Sequence, residues 1–289
     1  MSFHDILHVL WHAALDTAKL LPFLFLTYLL MEVLEHKAGD GAKKAIARAG
    51  RMGPLMGALL GLVPQCGFSA VAAGLFAARV VTPGTVIAVF LATSDEMLPV
   101  LLGAGVSVTR VLSILGIKLV LAALCGFATD LVLRRRIQTP HVESFCDEEH
   151  CHCERGVLPS ALHHTLHIGL FVLVVNVLVG FVLEMVSADA LASLLGGVPV
   201  LGEAVTALVG LIPNCAASVA VTTLYARGVI TAGAMLAGLL TGAGAGLLVL
   251  FRTNKSVLQN FLFVLALFLF GVFFGSALQY TGILAVLGL

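Results

Sequence analysis

The sequence predicts an all-α, polytopic membrane protein of two inverted repeats, each of about four to five helices, with broken or re-entrant helices at two Pro-x-Cys motifs. Three observations carry that expectation. The 289 residues are 60% hydrophobic and 11% charged, with 30 glycines besides, whereas a soluble domain runs at about 45–50% apolar and about 25% charged. The apolar residues fall in long uninterrupted stretches, not in the alternating segments of about ten residues that build a membrane β-barrel. A stretch of the first half also recurs in the second.

So few charges could not cover the surface of a soluble globule of this length, which excludes a soluble enzyme. The 16 acidic and 16 basic side chains balance, so no basic excess points to nucleic acid. The first apolar stretch has no basic flank, and no cleavable leader is expected. Cys66, Cys125 and Cys215 lie in apolar segments while Cys146, Cys151 and Cys153 crowd one polar loop. That is not the pattern of a secreted disulfide framework.

Eight apolar stretches follow one another along the chain, and about 20 helical residues cross a bilayer. The first, 14–36, ends in Glu32, Glu35 and His36 and is preceded by His4, His8 and His12, which share a helical face. The second, 53–78, is interrupted at Pro64. The third, 82–105, holds Thr93-Ser94-Asp95-Glu96 near its centre, followed by Pro99; the fourth, 109–133, carries Lys118. Residues 134–158 are the only long polar insertion and divide the chain into a membrane repeat at 1–133, a Cys/His/acidic loop and a second repeat at 159–289. The fifth stretch, 160–186, opens with His163, His164 and His167, has Asn176 mid-helix and closes with Glu184. The sixth, 201–226, is interrupted at Pro213, the seventh covers 229–251, and the eighth, 257–280, is apolar nearly throughout.

Sliding the halves over each other by 149 positions places Gly61-Leu62-Val63-Pro64-Gln65-Cys66-Gly67-Phe68-Ser69 on Gly210-Leu211-Ile212-Pro213-Asn214-Cys215-Ala216-Ala217-Ser218. From 61 to 91 there are 12 identities in 31 pairs; so biased a composition gives roughly three by chance. The repeated motif breaks its own helix, because proline supplies no amide hydrogen and clashes with the preceding turn. About 11 residues on either side make helices of roughly 16 Å, half a membrane. Such interruptions persist only where the freed backbone faces protein or water.

Lys37, Lys43, Lys44, Arg48 and Arg51 fill the loop after the first stretch, Arg134-Arg135-Arg136 open the central loop, and Arg252 and Lys255 lie in the last connection. The positive-inside rule puts all three in the cytoplasm and the Lys- and Arg-free loop 187–203 outside. The halves then enter from opposite sides, as inverted repeats do. Three stretches between two inside loops give the wrong parity unless 53–78 is re-entrant. Arg110 and Arg227 then fall on the outer side, against the rule.

Discontinuous helices in inverted repeats hold transported ions near the midplane. Gln65-Cys66 and Asn214-Cys215 stand at the breaks, and a thiol at a half-helix start favours the metal-binding thiolate. Asp95 and Glu96 are costly at bilayer depth and mark an ion pathway or proton relay; the equivalent segment, Gly242 to Gly246, has no acid. Glu32, His164, His167 and Glu184 are accessory candidates, the two histidines being spaced i, i+3 as a proton path or ligand pair requires. The loop residues Cys146, His150, Cys151, His152 and Cys153 have the composition of a soft-metal tract. That tract lies outside the bilayer, where it collects ion or senses load.

These residues resemble a known family. A Pro-Gln-Cys break followed by Gly-Phe-Ser, then Ala92-Thr93-Ser94-Asp95-Glu96-Met97-Leu98-Pro99, then the second break Pro213-Asn214-Cys215, is similar to the ten-helix heavy-metal exporters of bacteria, also labelled arsenic efflux proteins or manganese transporters. The resemblance covers nearly the whole chain. It implies ten helices, counting both parts of the two broken stretches, and puts the motif at Pro64, Gln65, Cys66, Ser69, Thr93, Ser94, Asp95, Glu96, Pro213, Asn214, Cys215 and Ser218.

The expectation is a secondary transporter of the bacterial cytoplasmic membrane, central loop cytoplasmic, that exports a heavy-metal or divalent ion coupled to protons. It would not be an enzyme and would need no obligatory cofactor. Its partners would be the lipid bilayer and the metal ion or metalloid it moves, with no nucleic acid; a homo-oligomer is allowed by the sequence. No Gly-x-x-x-x-Gly-Lys loop occurs to bind nucleotide. An arsenic efflux permease is the alternative; an intramembrane thiol redox protein using Cys66 and Cys215, or a metal sensor working through the loop, stand further back.

Overall fold

The structure is a computed structural model describing residues 3–37, 52–63, 66–94, 96–133, 157–185 and 200–286, which are helical and contain no strand. The first half supplies α1 (Phe3–Lys37), α2 (Gly53–Gly61), α3 (Cys66–Ala77), α4 (Pro83–Ala92), α5 (Met97–Gly103) and α6 (Val108–Leu133). The second supplies α7 (Val157–Met185), α8 (Leu201–Gly210), α9 (Cys215–Ala226), α10 (Ala232–Thr241), α11 (Ala245–Thr253), α12 (Val257–Tyr280) and the short α13 (Ile283–Val286).

Six segments are long and apolar enough to cross a membrane: Ile6–Leu26 of α1, Pro83–Gly103 over α4 and α5, α6, Ala161–Leu178 of α7, Ala232–Thr253 over α10 and α11, and α12. The stretches expected to break at Pro64 and Pro213 are indeed pairs of short helices, α2 with α3 and α8 with α9. At 1.5 Å per residue they reach about 14–18 Å, half the apolar slab. Two details differ from the sequence expectation. The first helix starts at Phe3, some ten residues before the expected apolar stretch, and carries Pro22 inside it. The third and seventh stretches, expected to be continuous, are themselves interrupted, between Ala92 and Met97 and between Thr241 and Ala245. Thr93 and Ser94, with Pro99 in the turn that follows, stand at the first interruption, and glycines at the second.

The interrupted spans occupy the centre. Every residue of α4 and of α10 is buried, as are Ala245 to Leu250 of α11. The outer helices present large apolar side chains outward, among them Leu112 and Leu124 of α6, Leu166 and Leu170 of α7, and Phe261 and Phe273 of α12. A surface of that kind is stable against lipid tails and not against water.

The repeat seen in the sequence is also a repeat of packing. α4 lies against α2 and α6 as α10 lies against α8 and α12; α3 packs on α11, and α5 on α9. Thr82 caps α4 by accepting from the Thr85 amide, and Thr231, 149 positions later, caps α10 by accepting from that of Ala234. The Gly84 amide donates to Asp130 Oδ1 at 2.8 Å, and the equivalent Gly233 amide to the equivalent Gln279 Oε1 at 2.9 Å. Backbones touch at both places: a methyl group built on Gly84 would lie 2.1 Å from the Gly126 oxygen, and one on Gly275 2.7 Å from that of Gly233. Only glycine permits helices to approach so closely.

The first helices of the halves, α1 and α7, pack on each other antiparallel. Val9 meets Gly180, Asn176 donates to Thr17 Oγ1 at 3.5 Å, Leu21 meets Gly169, and Tyr28 stacks on His164. Numbers rise along one helix as they fall along the other.

Candidate functional site

Both short helices that follow a break begin with a cysteine, Cys66 for α3 and Cys215 for α9. Four amides at a helix start have no intrahelical partner and carry the positive end of its dipole. At the start of α9, Asn214 is extended and its Oδ1 accepts from the Ala216 amide at 2.8 Å, an N-cap. That bond uses one lone pair of the oxygen expected as a ligand, so coordination would fall to the second. Cys215 is buried at 8% exposure. Ser218 Oγ donates to the Cys215 carbonyl at 2.8 Å, and Thr222 to that of Ser218 at 2.6 Å. Pro213 is half-buried in the turn. Pro64, Gln65 and the Cys66 side chain lie outside the described residues. Ser69, one turn into α3, is fully buried against the glycine-rich interruption of the second half: a methyl built on Gly246 would stand 2.6 Å from its Cβ.

The interruption between α4 and α5 holds the Thr-Ser-Asp-Glu block. Thr93 ends α4, donating from Oγ1 to the Val89 carbonyl at 2.8 Å, and Ser94 Oγ donates to that of Ala92 at 2.9 Å. These side chains bond backward to carbonyls and offer the chain a way out of the helix. Both are buried, at 3% and 1% exposure, so the interruption lies inside the protein and not on its surface. Asp95 lies outside the described residues. Glu96 is half-buried and precedes α5 with no side-chain capping bond. In the equivalent interruption Gly244 has φ 53°, ψ −145°, a conformation open in practice to glycine alone. The first half turns its span with polar side chains, the second with glycines.

Lys118, in the middle of α6, is fully buried. Its ammonium donates to the main-chain oxygen of Thr93, the C-cap of α4, and to that of Leu239 in α10 at 2.9 Å. One cation therefore joins the carboxyl ends of two half-length helices, one from each half, where the partial negative charges of their dipoles meet. Leu267 stands at the equivalent place of the second half, also fully buried.

The accessory histidines separate. His164 is buried against Tyr28 of α1, ring centroids 5.4 Å apart, whereas exposed His167 meets Arg252 Nη2 of α11 at 2.8 Å. Their i, i+3 spacing does not bring both to one partner. The side chains of Glu32 and Glu184 lie outside the described residues, as do Cys146, His150, Cys151, His152 and Cys153. Among the described residues no three His, Cys, Asp or Glu side chains gather as a metal site.

Sequence reasoning passed over Asp16 of α1. It is 22% exposed, is bridged to Lys19 at 3.8 Å, and lies within electrostatic range of Glu96 and His12. The available signal was an acid at bilayer depth, four residues after His12.

The family model described as "Putative, 10TM heavy-metal exporter" matches residues 7–195, well over half of the chain. The match includes the first break, the Thr93 to Glu96 interruption, Lys118 and α1 with α7. No curated protein and no solved structure matches the chain.

Proposed function

Because the chain belongs to this ten-transmembrane family of heavy-metal exporters, we propose that it is a secondary transporter expelling a heavy-metal or divalent cation from the bacterial cytoplasm in exchange for protons. The two halves would be inverted copies that rock about the buried interruptions, exposing the site to one side and then the other. Antiparallel α1 and α7 support that topology, because a two-fold axis relating equivalent helices in opposite directions lies in the membrane plane.

The observation that carries the reading is the pair of half-membrane helices, each beginning with a cysteine, packed with the interrupted central spans, one of which carries half-buried Glu96 at its interruption. Cys66 and Cys215, helped by the dipole ends of α3 and α9, would supply thiolates. Asp95 and Glu96 would supply carboxylates, and Gln65 and Asn214 amide oxygens, with Ser69, Thr93, Ser94 and Ser218 lining the site. A soft–hard mixture of this kind suits borderline divalent ions such as zinc or cobalt better than magnesium. These groups bind metal deprotonated, so protons arriving from outside would displace the ion, and the vacated acids would reset on the cytoplasmic side. Dipole-assisted thiols also suit trivalent arsenic, so arsenite belongs in any test.

Uptake of a panel of divalent metals and of arsenite into proteoliposomes tests the reading, with C66S, D95N, E96Q and C215S beside the unaltered protein. Loss of a ligand should cut flux of the true substrate by about tenfold or more. Intact flux in all four variants for every transported species would show the site to be wrong.

A further inference from the structure

The α1 helix carries a polar strip that the proposed site does not use. His8, His12 and Asp16 recur every four residues and so lie one above another on one face. They flank the strip Val9, Ala13, Thr17, Leu20, Leu24 and Tyr28, which is buried. Both histidines are exposed, and their ring centroids are 4.4 Å apart. Leu7, Leu10, Trp11 and Leu15 are exposed elsewhere on the same helix and fit lipid. Imidazoles and a carboxylate do not share that solvent; within a span such groups face protein or a water-filled cavity. At its deep end the strip reaches half-buried Asp16, which exposed Lys19 bridges at 3.8 Å and whose carboxylate lies within electrostatic range of Glu96.

We infer that His8 and His12 form a transit site for the exported cation, joining the Glu96 interruption, through Asp16, to the face of the membrane where α1 begins. This rests on the export reading and its topology, which put that face outside. Two imidazoles at i, i+4 on a helix can grip one borderline transition-metal ion, as in zinc-binding helices. With only two protein ligands, water completes the shell, so the ion is held weakly and released. A way station requires that, whereas a structural site closes its four positions.

The strip belongs to one half alone. The positions equivalent to His8, His12 and Asp16 are Val157, Ala161 and Thr165, and the last two are buried. His163 and His167 of α7 share the i, i+4 spacing, but their centroids are 6.4 Å apart and His167 is bonded to the Arg252 guanidinium, which repels a cation. The pair therefore serves one half of the molecule alone.

The test modifies histidines of the full-length protein in vesicles with diethyl pyrocarbonate and reads each adduct by mass spectrometry, with and without zinc(II). Zinc should slow modification of His8 and His12 by about tenfold and leave His163 within about twofold. Equal effects at all three, or none, overturn the inference and need no variant. In proteoliposomes H8Q/H12Q should lower the maximal rate of metal flux by about tenfold, with the half-saturating concentration on the loading side unchanged, because a release step is slowed. Unaltered flux in H8Q/H12Q places the route elsewhere and leaves the export reading intact. Zinc protection at His8 and His12 in a protein that moves no metal overturns the export reading and with it the transit role, leaving only a zinc-binding pair.

Discussion

Lys118 Nζ lies 2.9 Å from the main-chain oxygen of Leu239, so a side chain of the first half holds a helix of the second at its carboxyl end. The same ammonium holds the Thr93 oxygen where α4 stops. A fully buried lysine is costly unless its charge is met. Here two helix carboxyl ends meet it, and the two interrupted spans are tied where they would have to part in a rocking motion.

K118M should therefore loosen the centre. It keeps the stem but leaves two buried carbonyls without that donor, at about 1–3 kcal/mol each. The expected result is a lowered unfolding temperature in detergent together with loss of vectorial flux. K118L, which gives the first half the residue that the second has at Leu267, should behave the same. A melting curve that overlays the unaltered protein would show that Lys118 does not bind the halves together.

Gly246 should tolerate no side chain. A methyl there would lie 2.6–2.7 Å from Ser69 Cβ, carbonyl carbon and Oγ, two of which cannot swing away. Overpacking of this kind costs about 1–3 kcal/mol. G246A is expected to lower stability and to push α11 off α3, whereas G116A, with nothing within 4 Å of the new methyl, should be silent. Paired thermal scans of the two variants check this, and equal curves would contradict it.

Much of the architecture was legible because apolar length and proline are local signals. Pro64 and Pro213 announced the half-length helices, and the 149-residue offset announced a packing repeat that reappears in the Thr82 and Thr231 caps. The breaks after α4 and α10 were not announced. Thr93 and Ser94 break a helix only when tertiary packing prefers their backward bonds, and Gly242 and Gly244 look like ordinary glycines of a membrane helix. The divergence of His164 and His167 was equally hidden, since i, i+3 spacing fixes a side of the helix but not which neighbour each ring meets. Lys118 stands in the sequence only as a lone charge in an apolar stretch, because a carbonyl contributed by a helix 121 residues away leaves no mark on a sequence.

The two threonine caps should differ in value. T82A and T231A each remove an N-cap, worth about 0.5–2 kcal/mol. Thr82 also donates to Asp130 Oδ2 at 2.6 Å and is buried, while Thr231 is exposed. T82A should therefore be the more destabilising, and D130A should remove most of the difference because it takes away the second bond. A double-mutant cycle on T82A and D130A, read by unfolding temperature, should give a coupling clearly above zero; an additive result would mean that the Asp130 contact carries no stability.

Deleting residues 141–154 separates carrying from sensing. The segment contains Cys146, Cys151 and Cys153 with His141, His150 and His152, yet it belongs to no apolar span, whereas Cys215, Ser69 and Lys118 are buried among the helices. On the export reading, a cytoplasmic tract of soft ligands would raise the local concentration of ion without taking part in the crossing. The shortened chain should therefore keep its flux at saturating metal and require a higher metal concentration for half of it, by about tenfold if the tract contributes some 1.4 kcal/mol of capture. Proteoliposome flux against metal concentration reads both quantities. Abolition of flux at every concentration would put the working part in the loop, and a chain whose loop does the work needs no cysteine at the start of α3 or α9.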